Sequence, residues 1–133
     1  MTLRYLLDTN TISAAIYEPQ GHVSGKIARL HHLVCTSIIV AAELRFGAAR
    51  THARALAHTI DGLLARLEVL PFSSPADSIY ADLRASLERK GKPIGANDML
   101  IAAHALAIRA TLVTANVREF SRIPSLSVEN WLR

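Results

Sequence analysis

The stretch RYLLDTNTISAAIY, residues 4–17, decides the fold. Its first part, Arg4 to Asp8, is a short apolar run that stops at an acid, which is how a buried strand reads. Its second part, TNTISAAIY, starts a helix, and EPQGH (Glu18 to His22) breaks it. The unit then recurs. VSGKIARLHH (23–32) predicts a helix, LVCTS (33–37) a second buried strand, and IIVAAELRFGAAR (38–50) a helix that Thr36 or Ser37 can cap. ARALAHTIDGLLARLE (53–68) predicts another helix, followed by the short extended VLPFS (69–73). In SSPADSIYADLRASLERKG, Ser74 is expected as N-cap, Pro75 at the first position, Asp77 three after the cap and Gly91 just past the end. GANDMLIAAHALA (95–107) predicts a helix, ATLVT (110–114) a strand, ANVREF (115–120) a turn and LSVENW (126–131) a last strand.

Short apolar strands alternating with helices give an α/β fold, with a short, mostly parallel central sheet flanked by helices on both faces. In such sheets sites form outside the carboxyl ends of the strands. Asp8 ends the first strand and Asn116 follows the strand that ends at Thr114, so both fall at one edge. With 133 residues, half of them hydrophobic, a single domain spanning residues 1–133 is expected. No stretch has the apolar length of a membrane span, and MTLRYLLDTN is too short and too soon acidic for a signal peptide. Cys35, the single cysteine, excludes an internal disulfide and suits a reducing cytoplasm; its apolar neighbours make it a packed strand residue.

Three acids stand where solvent-facing residues are not expected. From Met99 to Ala107 the only polar side chain is His104, yet Asp98 occupies the first turn of that apolar helix. Glu43 has Ile39, Val40, Phe46 and Gly47 at helical spacing, which puts it along the apolar stripe. Asp8 follows Tyr5, Leu6 and Leu7. A lone buried carboxylate costs several kcal/mol unless compensated. Local explanations exist: Asp8 can cap the following helix, and Asp98 gains about 0.3–1 kcal/mol from the helix N-terminus. Glu43, mid-helix, has neither. A shared divalent cation explains all three, and carboxylates without Cys or His partners favour Mg²⁺ or Mn²⁺. The six histidines show no HxxxH spacing, and no GxGxxG, GxxxxGK[ST] or GxSxG occurs, which argues against a phosphate-cradling loop or a serine hydrolase.

Taken in order, these segments resemble the PIN-domain ribonucleases, and among them the VapC toxins of bacterial toxin–antitoxin modules. YLLDTNTIS resembles the first motif, with Asp8 as its metal-binding acid and Asn10 and Ser13 as supporting polar residues. TSIIVAAELRFGA resembles the second, with Glu43, and PIGANDMLIAAHAL the third, with Asp98. TLVTANVREFSRIPSLSVENW resembles the fourth, through Thr114, Asn116, Glu119 and Phe120. Glu119 stands where many relatives carry Asp, so direct and water-mediated roles are both open to it. The resemblance implies a PIN-like fold and a catalytic set of Asp8, Glu43, Asp98 and Glu119, the first three holding Mg²⁺ or Mn²⁺. Thr9, Asn10, Ser13, Thr114 and Asn116 are candidates to orient ligands, water or phosphate. Such ions activate a water, polarise the scissile phosphate and stabilise the leaving oxygen, which leaves 5′-phosphate and 3′-hydroxyl ends. Also implied are structured or single-stranded RNA as substrate, with tRNA among the candidates, a homodimer, a small VapB-like antitoxin that blocks the pocket, and cytoplasmic action without a membrane.

Charge agrees. The formal balance is +4, from 15 basic and 11 acidic residues. With the four acids set apart in a pocket, seven acids remain against those 15 basic residues, a basic exterior suited to a phosphate backbone. Arg45, Arg50, Arg54, Arg89, Lys90, Lys92, Arg118 and Arg122 are candidates for RNA contact; solubility is the plainer role for each. Other readings stay open here: a non-toxin PIN nuclease in RNA processing, a receiver-like signalling domain with an acidic Mg²⁺ pocket, and a catalytically silent binding module. The receiver requires paired acids after the first strand and a later strand ending in Asp, and this sequence has neither.

Overall fold

The computed structural model describes residues 3–132. Five strands, β1 (Tyr5–Leu7), β2 (Val34–Ser37), β3 (Glu68–Leu70), β4 (Thr111–Val113) and β5 (Val128–Glu129), form one sheet in the order β3-β2-β1-β4-β5. Every pairing is parallel, so the expected mostly parallel sheet is wholly so among the described residues. β1 is central: Leu7 lies in register with Thr36 of β2 on one side and Val113 of β4 on the other. Successive strand residues point to opposite faces, and Leu6 and Leu7 are both fully buried. Both faces are therefore covered, by α1 (Thr9–Tyr17), α2 (His22–Arg29), α3 (Ile38–Arg50), α4 (Arg54–Arg66), α5 (Ala76–Arg89), α6 (Ala96–Ala107) and α7 (Val117–Phe120).

The order reverses at β1. The chain builds β2 and β3 on one side, then crosses to place β4 and β5 on the other. The carboxyl ends of β1 and β4 thus sit side by side at the switch point, where open α/β sheets form their sites. α6 is the rod behind that edge. Met99, Ile101, Ala102, Ala103, His104 and Ala105 are all buried, and the run of alanines permits close approach of its backbone to its neighbours. His104 Nδ1 lies 2.7 Å from Ser37 Oγ, which also accepts the Ile39 N–H at 3.0 Å as the N-cap of α3. Burial keeps this imidazole below its ordinary pKa, and the Phe72 ring meets it edge-on.

Four expectations are corrected. Ser74 does not cap α5: Pro75 holds that position, its carbonyl accepting from Ile79 N, and makes no side-chain cap bond. A turn closed by Ala76 N–H on Ser73 O displaces Ser74 from the helix axis. The helix expected through His32 ends at Arg29, because Leu30 leaves helical geometry and His31–Leu33 form a 3₁₀ turn into β2. The turn expected at 115–120 winds into α7. The last strand shortens to Val128–Glu129 because Trp131 turns inward instead. Its ring packs edge-to-face on Tyr5, its Nε1–H donates to Glu129 at 2.9 Å, and the Lys26 ammonium lies over it. Cys35 is buried in β2 as expected, its thiol pushed up to about 12 by burial and then by Glu68. No described helix is long and apolar enough to cross a membrane.

Candidate active site

Asp8 follows β1 directly, and its two oxygens do different things. Oδ1 accepts the Thr9 N–H at 2.7 Å and caps α1; Oδ2 accepts the Thr114 hydroxyl at 2.7 Å. The cap explanation is therefore correct for one oxygen and leaves the other turned to the end of β4. Burial raises the Asp8 pKa, the Thr114 and Thr9 bonds oppose that, and the charge of Glu43 adds to it. Thr114 also accepts Asn10 Nδ2 at 3.3 Å and the Asn116 N–H at 3.0 Å, while Asn10 Oδ1 accepts the Ala115 N–H at 2.9 Å. These bonds pin the loop after β4 to the start of α1.

Glu43 comes from the middle of α3. Thr9 Oγ1 donates to its Oε1, and Asn97 Nδ2 donates to its Oε2 at 3.0 Å. Asn97 was not singled out from sequence. Its signal was its place beside Asp98 in the first turn of α6, but an exposed Asn there reads as an ordinary helix-start residue. Asp98 is the least satisfied of the three acids. Gly95, ahead of α6, makes no side-chain cap bond, and no described residue donates a hydrogen bond to the Asp98 carboxylate. Its pKa is pushed up to about 6, by burial first and then by Asp8, Glu119 and Glu43 in turn.

Asp8, Glu43 and Asp98 line a single cavity of about 600 Å³ with Thr9, Asn10, Ser13, Asn97 and Asn116. Glu119, in the first turn of α7, is half-buried and near enough to raise the Asp98 pKa, but it does not line the cavity. The only ion pairs among the described residues are Arg45–Asp61 and Arg84–Glu88, both exposed, so no acid of the cavity is neutralised by the chain. Of the basic candidates, Arg50 lines the cavity, Arg45 is engaged with Asp61, and Arg122 donates to the Pro93 carbonyl at 2.8 Å. Arg89 closes α5, Lys92 lies in the loop before α6 and Arg118 is on α7, all exposed and outside the cavity wall.

The donor set is oxygen only, which suits a hard cation. As they stand, no three Asp, Glu, His or Cys side chains of the described residues gather tightly enough to enclose an ion by themselves. Glu43 is drawn to Thr9 and Asn97, and Asp8 to Thr9 and Thr114. That arrangement fits an ion that keeps several of its own waters, as Mg²⁺ does.

Residues 5–126 match the PIN domain. The chain belongs to the PIN-domain family. PIN-domain ribonucleases are in general dependent on divalent metals. This PIN domain is 42% identical over 130 residues to Ribonuclease VapC2 of Rickettsia felis, spanning 96% of this chain and 97% of that protein. It is 38% identical to the tRNA(fMet)-specific endonuclease VapC of Salmonella typhimurium, over 97% of this chain and 98% of that protein. Its fold superposes on the crystal structure of DNA-bound VapBC from Salmonella typhimurium with a TM-score of 0.93 at 36% identity, covering 98% of this chain and 99% of that one.

Proposed function

We propose that this PIN domain is the ribonuclease toxin of a toxin–antitoxin pair, acting in the cytoplasm on RNA, with a transfer RNA as its substrate. The observation that carries the reading is Asp98, a half-buried carboxylate with no donor, facing Asp8 and Glu43 across one cavity that no basic side chain neutralises. Three such acids repel one another, and a divalent cation relieves that repulsion. Asp8, Glu43 and Asp98 would hold Mg²⁺ or Mn²⁺, with Glu119 adding its charge close to Asp98. When bound, the ion supplies Lewis-acid polarisation of the scissile phosphate and a water of lowered pKa.

The chain's own residues set the geometry. Thr114 and the Thr9 N–H orient Asp8, while Thr9 Oγ1 and Asn97 orient Glu43. Asn116 and Ser13 line the wall and offer donors to phosphate oxygens. No described histidine lines the cavity, and in this reading water is the nucleophile without an imidazole base. Hydrolysis then leaves 5′-phosphate and 3′-hydroxyl ends. The name of the Salmonella typhimurium relative supplies the choice of tRNA, and the VapBC complexes a VapB-like antitoxin, which in this reading occludes the pocket. The toxin is taken to act as a homodimer.

The test is incubation of the purified, antitoxin-free protein with total RNA and Mg²⁺ or Mn²⁺, beside Asp98→Asn and EDTA controls. Discrete tRNA-derived products with 5′-phosphates are expected from the parent alone. Cleavage that persists in either control overturns the metal reading.

A further inference from the structure

The mouth of the acidic cavity carries an aromatic ring that the chemistry above does not use. Phe46 is 62% exposed, yet it lines the same wall as Asp8, Glu43 and Asp98. On α3, Glu43, Phe46, Gly47 and Arg50 follow at helical spacing, so acid, ring and cation share one face. The Arg50 guanidinium lies 5.6 Å from the centre of the Phe46 ring, within cation–π range. Between them Gly47 contributes no side chain, and a Cβ placed there would meet nothing within 4 Å. A side chain at position 47 would therefore stand in open space, and no packing within the chain requires the glycine there.

A single exposed phenylalanine is ordinary. This one is distinguished by what surrounds it. The acids repel a phosphate backbone, so RNA must draw its hold from outside them, from a π face and a positive charge. The same lining carries the polar side chains of Thr9, Asn10, Asn97 and Asn116. That lining suits a nucleotide, with its flat base and polar sugar-phosphate, better than the apolar side chain of a protein partner. Arg50 lines the cavity, the one basic residue among its described lining residues to do so.

We infer that Phe46 is the stacking platform for an unpaired base flanking the scissile phosphate, with Arg50 gripping the adjoining backbone phosphate. The inference rests on the ribonuclease reading above and assigns the contact that would position its substrate. It explains why cleavage would favour looped RNA: a base must be free of its helix to lie on the ring.

A stem–loop oligoribonucleotide carrying 2-aminopurine in its loop tests it, bound to the Asp98→Asn protein so that no cleavage intervenes. Stacking on Phe46 should quench the fluorophore. Phe46→Ala should abolish the quench and, in the cleaving protein, raise KM for tRNA about tenfold with a much smaller change in kcat. Phe46→Trp should restore both, and Arg50→Gln should lower the salt dependence of binding by about one phosphate contact. A Phe46→Ala protein with parental quench and KM overturns the inference. So does one that keeps both but loses capture of its antitoxin or changes its sedimentation, since the ring then serves a protein contact. Failure of the parent to cleave any RNA sinks the ribonuclease reading instead, and the quench still reports separately on the ring.

Discussion

Asp98 decides what the site is for. Because its carboxyl is raised to about 6 by burial and by three other acids, the folded chain binds protons that the unfolded chain has already released. Stability of the metal-free protein therefore falls as pH rises from about 4 to about 6, and denaturant midpoints across that window, with EDTA present, check the sign. Asp98→Asn removes the repulsion, so the metal-free variant should melt higher than the parent at pH 7. The same variant should lose more than the roughly 10–100-fold that outer-shell substitutions remove, measured as single-turnover cleavage. Asn97→Ala frees one oxygen of Glu43 and should fall within that 10–100-fold range, with the loss partly recovered at high Mg²⁺. Asp8, Glu43 and Asp98 were legible in the sequence because a charge in apolar register is an anomaly that can be read. Asn97 was not, since its partner lies 54 residues away and a polar residue in a helix's first turn signals nothing unusual.

At the scale of elements, the two helices that bring the acids are tied behind the site. His104 of α6 and Ser37 at the cap of α3 meet in the core, so the angle between Glu43 and Asp98 depends on a contact that touches no substrate. Ser37→Ala removes a helix cap, worth about 1 kcal/mol, and leaves the His104 Nδ1 unpaired, about 1–3 kcal/mol more. A loss of about 2–4 kcal/mol in urea unfolding is expected, with cleavage falling alongside. Periodicity and acid placement located α1, α3, α4 and α6 almost to the residue. The misreadings lie where tertiary packing overrides local signals: Ser74 has the chemistry of a cap, but the turn at Ser73–Ala76 gives the position to Pro75. Trp131 looked like strand, and its burial against Tyr5 pulls it out of one.

For the molecule as a whole, the acidic hole and the basic exterior make opposite demands on conditions. RNA binding by the Asp98→Asn protein should weaken linearly in log–log terms as salt rises, each phosphate contact contributing a slope of roughly 0.7 for single strands. A slope near zero, measured by filter binding, removes the basic surface from the account. The parallel topology was legible because apolar strands without alternation demand cover on both faces. The strand order was not, since periodicity carries no information on which strands are neighbours. That order has a temporal consequence. Leu7 pairs with Val113, and Asp8 is held by Thr114 from 106 residues further along the chain. A nascent chain on the ribosome therefore carries Asp8 long before the strand that fixes it has been made. A chain interrupted between Asp98 and Thr111 carries all three acids of the cavity without the strand end that holds Asp8 in place.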